Sequence, residues 1–183
     1  PILEWIKRQN KNPFYKSVPR DYWADAAFMN ELSAVEDIMM VGYPNGLWDG
    51  KNNLPITRRG TTATPPYIDF EGKPQFMIDC ACFPGSSGSP VFLLNMGGYL
   101  KKSGGVKLGA RIKLLGILWG GPQYTAEGEI RVVPVPSAMQ PVALSRIPNN
   151  LGYCIKAEQL LEFDKHFDKL LEAEESAKKA QEA

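Results

Sequence analysis

The chain has 183 residues, 44% hydrophobic and 22% charged, with a formal net charge of +1. That is ordinary soluble-globular composition in the size range of one domain with an extension, and it excludes a disordered or fibrous chain. Residues 157–183 hold eight acidic residues and four lysines, net −4, which leaves 17 basic and 12 acidic residues, net +5, elsewhere. No arginine–aromatic interleaving accompanies the basic part, so it reads as a solvated surface and no nucleic-acid partner is expected. No apolar run approaches the roughly 18 residues of a membrane-crossing helix, so no membrane association is expected.

The 17 glycines and 15 prolines imply many turns and favour an all-β body. At the start, Pro1–Ile6 reads as a short helix ending around Asn10–Pro13, and Ala24–Leu32 as a second short helix or loop. From Ile38 to Pro44 a buried strand ends in a Gly/Pro turn. Ile56–Ala63 is a β-branched run whose internal Gly60 predicts a bulge. Further strands are predicted over Gln75–Cys82, Pro90–Leu94, Lys113–Trp119, Ile130–Val135 and Leu151–Ile155, a spacing that implies an antiparallel sandwich or barrel. Gly97–Lys113, rich in glycine and basic residues, reads as a long flexible hairpin, and Val133–Pro148, with four prolines, as an irregular surface loop. Leu160, Phe163, Phe167, Leu170 and Leu171 recur at three- and four-residue steps and predict an amphipathic helix. Beyond Ala173 the apolar positions stop.

Three cysteines do not make a disulfide scaffold. Cys80 and Cys82 would lie on the same face of one strand, too close in sequence for a normal bridge. A pairing of either with Cys154 stays open, but buried free thiols are the expectation, and they favour a reducing, cytoplasmic compartment. No fourth soft ligand is present for a metal, and nothing calls for a cofactor.

The hexapeptide Gly85-Ser86-Ser87-Gly88-Ser89-Pro90 precedes the apolar run Val91-Phe92-Leu93-Leu94. A nucleophilic serine needs a tight turn that glycine permits, with backbone N–H groups converging where an oxyanion forms. Gly-x-Ser-Gly-x-Pro leading into a strand supplies both. An α/β-hydrolase elbow needs Gly-x-Ser-x-Gly before a helix, whereas here the fifth position is Ser89 and a strand follows. The remaining alternative is a Gly/Ser turn without chemistry.

An ordered series of segments over residues 35–170 resembles the second barrel of the trypsin-like (chymotrypsin-fold) serine peptidases. Val41-Gly42-Tyr43-Pro44 is similar to the opening strand of that barrel in bacterial glutamyl-endopeptidase-like members. Gln75-Phe76-Met77-Ile78-Asp79 resembles the strand before the nucleophile. Gly116-Ile117-Leu118-Trp119-Gly120-Gly121 resembles the substrate-binding strand and pocket wall, and Asn150–Ile155 the closing strand. The resemblance implies an all-β fold: an antiparallel chymotrypsin-like β-barrel with a C-terminal α-helix. It divides the chain into an irregular N-terminal arm or inter-barrel linker (1–34), the barrel (35–156) and an amphipathic helix with a charged tail (157–183).

The implied activity is that of a serine endopeptidase working through an acyl-enzyme on Ser87, with a peptide or protein substrate. Ser87 would be the nucleophile and the N–H groups of Gly85 and Ser87 the oxyanion hole. Ile117–Gly120 would hydrogen-bond an extended substrate strand. Ala81, Cys82, Leu118, Trp119, Gly120 and Gly121 would bind the substrate side chain. Ala81 stands where trypsin-like enzymes place an acidic residue, and Leu118 where glutamate-specific relatives place a histidine, so an apolar or small side chain is expected.

The sole histidine, His166, lies in the predicted C-terminal helix and reads as a solvated helical residue, not a base. Asp21, Asp25, Asp37 and Asp79 have no imidazole to orient. The expectation is therefore that the family's His and Asp belong to an N-terminal barrel preceding Pro1, and that this chain alone is inactive. The alternatives are a peptide-binding pseudopeptidase that keeps the cleft without the base, and an interaction module docking through its tail helix.

Overall fold

The structure is a computed structural model and describes residues 2–12, 15–127 and 144–170. Six strands close into an antiparallel barrel: β1 (Asp37–Gly42), β2 (Ile56–Thr62), β3 (Gln75–Asp79), β4 (Pro90–Asn95), β7 (Arg111–Gly120) and β10 (Leu151–Lys156). Around the barrel they run β1-β2-β3-β10-β7-β4. Two hairpins stand apart: β5 (Gly98–Leu100) with β6 (Val106–Leu108), and β8 (Gln123–Glu127) with β9 (Leu144–Pro148).

Period-two burial sets which side chains fill the interior. Ile38 and Met40 from β1, Phe76 and Ile78 from β3, Val91 and Leu93 from β4, Leu115 and Leu118 from β7 and Cys154 from β10 form one buried cluster. A bulge between Val91 and Phe92 gives β7 an extra residue, Leu115. Leu114, Leu115 and Gly116 are consequently buried in succession: Leu115 fills the core, while the backbone of Leu114 is bridged by Trp23 and accepts the Ala24 N–H at 2.9 Å.

Before the barrel, α1 (Ile2–Arg8) leaves Trp5 exposed, whereas α2 (Ala26–Asn30), capped by the Asp25 carboxylate on the Phe28 N–H, delivers Met29 to the core cluster beside Ala24 and Leu32. After β10 a 3₁₀ turn (Ala157–Leu161) leads into helix at residues 162–170. None of the described helices is long and apolar enough to cross a membrane.

Several expectations need correction. Gly60 makes no bulge; β1 and β2 pair in unbroken register across it. It is needed because a Cβ there would overlap the Asp79 carbonyl oxygen on β3. The strand expected to run to Cys82 stops at Asp79, because the Cys80 N–H turns to the Asn150 carbonyl at 2.9 Å. Cys80 and Cys82 thus do not share a strand, and all three cysteines are buried free thiols. Leu144–Pro148, expected as part of an irregular loop, pairs with β8. The rest of that loop, the strand expected over Ile130–Val135 and the tail beyond Leu170 lie outside the described residues.

Candidate active site

The serine loop joins β3 to β4 and is tied down from three directions. Gly85 (φ +82°) and Gly88 (φ +86°) take left-handed conformations that a side chain disfavours. Each sits in a short turn, closed by the Ser86 N–H donating to the Phe83 carbonyl and by the Ser89 N–H donating to the Ser86 carbonyl, both at 3.1 Å. On one flank β7 holds the loop: the Gly88 N–H donates to the Leu118 carbonyl at 2.7 Å and the Leu118 N–H to the Ser89 carbonyl at 2.9 Å. On another flank the turn after β1 holds it, the Asn45 N–H donating to the Pro84 carbonyl at 2.6 Å. From inside, the Arg58 guanidinium of β2 donates to the Ala81 carbonyl (2.6 Å) and the Ser86 hydroxyl (2.8 Å). All of these ties are internal to this barrel.

Ser87 is exposed, and its Oγ donates to the Trp119 carbonyl at 3.1 Å. It stands at a pocket of about 120 Å³ lined by Cys82, Phe83, Pro84, Ser87, Leu118 and Gly120–Gln123. Among the described residues neither the Gly85 nor the Ser87 N–H is spent on an internal hydrogen bond. Both therefore remain unused donors in the serine loop.

The pocket wall depends on a second bulge. Between Tyr153 and Cys154 the β10–β7 register shifts, leaving Trp119 as the extra residue on β7. Its carbonyl meets Ser87, while its indole stacks on Tyr153 (5.5 Å between ring centroids) and donates to Gln75 Oε1 at 3.0 Å. Of the expected substrate-binding residues, Cys82, Leu118, Gly120 and Gly121 line the pocket. Trp119 is outside the lining, its carbonyl accepting the Ser87 hydroxyl. Ala81 is outside the lining, its carbonyl taken by Arg58. Leu118 spends both its N–H and its carbonyl on the serine loop, so neither is free for a substrate strand.

The glycines play unequal parts. Nothing stands within 4 Å of a Cβ placed on Gly120, so it faces open space. At Gly121 a Cβ would overlap the Leu151 carbonyl oxygen, so its requirement is backbone packing. A Cβ on Gly152 would press into Leu118 Cδ1 (2.5 Å) and Cys82 Sγ (2.6 Å), the groups that form the pocket floor.

Burial pushes the Cys82 thiol up to about 12, with Cys80 nearby adding to the rise and Arg58 opposing it. It is a neutral wall, not a nucleophile. His166 lies elsewhere, lining an apolar cavity of about 630 Å³ with Ile117, Ile155, Gln159, Leu160, Glu162 and Phe163; the two cavities share no residue. Successive residues of a strand face opposite ways, so Ile117 marks the outer wall of β7 and Leu118 the inner. The described residues include no cluster of three or more His, Cys, Asp or Glu side chains suited to a metal ion.

Sequence reading missed the hold of Arg58 and of the Tyr43–Gly46 turn on the serine loop. The signal for Arg58 was present: on β2 it shares a face with Ile56, Gly60 and the buried Thr62, which turns it inward. The Asn45 contact carried no such signal, because turns approach distant loops without any periodic pattern. No protein-family model, no curated protein and no solved structure matches this chain.

Proposed function

We propose that this chain is the nucleophile-bearing barrel of a chymotrypsin-like serine endopeptidase, with Ser87 as nucleophile and the Gly85 and Ser87 N–H groups as oxyanion donors. The observation that carries the reading is the exposed Ser87 hydroxyl, set on a turn of two left-handed glycines, beside two unspent amides and at a small pocket. The arrangement of strands supports it. The serine loop joins β3 to β4, β4 pairs with β7, and β7 carries the pocket wall and pairs with β10.

In this reading the Ser87 oxygen attacks a peptide carbonyl and its proton passes to an imidazole. The oxygen charge that develops is held by the two amides. The C–N bond then breaks as the amine takes that proton, and water hydrolyses the ester on Ser87. The imidazole comes from outside these 183 residues, on a second barrel carrying His and Asp. The pocket lining contains no charged side chain, which fits an apolar or small substrate residue.

One observation favours the peptide-binding alternative. The Ser87 hydroxyl is satisfied by the Trp119 carbonyl, the arrangement a cleft without a base retains.

Chemical rescue separates the two. General-base help is worth about 10²–10⁴-fold, so a fluorophosphonate probe should label the chain slowly, and millimolar free imidazole should accelerate labelling at Ser87. Ser87→Ala should abolish the adduct. Imidazole that leaves labelling of the chain and of Ser87→Ala equal removes Ser87 as a nucleophile. Rapid labelling without imidazole reveals a base within the chain.

A further inference from the structure

We infer that Arg58 is the positioning residue of the serine loop, acting through Ser86 and Ala81 on the amides and hydroxyl of Gly85–Ser87. Its importance for acylation rests on the proposed function; its hold on the loop does not. One nitrogen, Nη1, donates to both the Ala81 carbonyl and the Ser86 hydroxyl. The two acceptors stand at the start and the centre of the loop, so one rigid group sets the span between them. That span includes the Cys82–Pro84 pocket wall and Gly85. Ser86, between the two amides of interest, is almost wholly buried, and its hydroxyl is the handle by which the interior grips the loop.

The rest of the guanidinium is unusual. Nε and Nη2 are closed off from solvent and have no hydrogen-bond partner, and no carboxylate among the described residues forms an ion pair with Arg58. The guanidinium stays protonated in proteins, so β2 carries a buried positive charge without a counter-charge, an arrangement that costs stability. Packing offers no return for that cost, since Ile or Leu would fill the same face. The return lies at the loop. Charge-assisted hydrogen bonds are stronger than neutral ones, and a positive charge beneath Gly85–Ser87 acts in the same direction as the two N–H donors on any negative charge forming there.

Hydrogen exchange on the full chain tests this through three loop amides that are themselves hydrogen-bonded: Ser86, Gly88 and Ser89. In Arg58→Met these should exchange roughly ten- to hundredfold faster, the change that losing one bond to a charged group carries. Strand amides at Ile38 and Leu93 should be unmoved. Arg58→Lys, which keeps the charge but not the rigid planar group, should fall between. Should Arg58→Met fail to fold, Ser86→Ala removes the same bond from the other side and should open the same three amides. Unchanged loop exchange, or an equal rise at Ile38 and Leu93, would overturn the inference. Imidazole-assisted fluorophosphonate labelling should follow the order wild type, Arg58→Lys, Arg58→Met. If wild type gives no Ser87 adduct, the peptidase reading fails while the exchange result still decides the role of Arg58.

Discussion

At the scale of single residues, the thiols show how burial turns a reactive group into packing. Burial raises Cys80, Cys82 and Cys154 alike. The folded chain therefore holds these protons more tightly than the unfolded chain does. A pKa raised by folding contributes stability that is complete below the unfolded value, near 9.0, and is lost as pH rises through the folded value, about 12 for Cys82. Denaturant midpoints should accordingly be flat with respect to thiol ionisation up to pH 9 and decline above it, and Cys82→Ala should soften that decline. At pH 8 a thiol reagent should find no fast-reacting cysteine in the native chain and three after unfolding. One fast thiol in the native state would sink this account.

Between elements, the most consequential contact is a polar one. Arg111 at the start of β7 meets the buried Glu36 carboxylate at 3.0 Å and donates to Asn95 of β4 at 2.8 Å. Glu36 also accepts the Ser33 N–H at 2.8 Å and the Asn95 side-chain amide at 3.3 Å, so three segments meet at one carboxylate. Removing one partner of such a pair leaves a buried charge unpaired and costs about 3–5 kcal/mol. Arg111→Met should lower the unfolding free energy by that order, whereas Arg20→Met, which breaks an exposed pair with Asp164, should cost under about 1 kcal/mol. Equal losses in calorimetry would refute the distinction.

The same elements show what the sequence made legible. The positions of the barrel strands followed from apolar alternation and β-branched runs, since a side-chain period of two reflects burial directly, whereas the β8–β9 hairpin did not. The serine turn followed from its glycines. Bulges at Leu115 and Trp119 did not, because a bulge is decided by the partner strand, and one strand's pattern does not contain it. The grip of Arg58 on Ser86 spans 28 positions, and neither residue's neighbours point to the other.

For the molecule as a whole, the C-terminal helix leaves much of its apolar surface uncovered. Phe163 is 58% exposed, Phe167 57% and Leu170 48%, so much of the apolar stripe predicted from their spacing lies open, with Phe163 lining a cavity beside Ile117 and Ile155 instead of packing closely on them. Replacing both Phe163 and Phe167 by Ser should therefore shift the thermal midpoint by no more than about 2 °C while reducing binding of an anilinonaphthalene dye. A fall of many degrees would show that the rings are covered in the folded chain. The closed barrel has a different consequence, in time. Each tie on the serine loop reaches a remote part of the chain: Ser87 to Trp119 across 32 positions, Arg58 to Ser86 across 28, and Asn45 to Pro84. Contacts so distant in sequence form slowly, because the entropy of closing long loops must be overcome first. A chain emerging from synthesis has Ser87 before it has Trp119, so the serine loop gains its ties to β7 only once that strand is laid against β4.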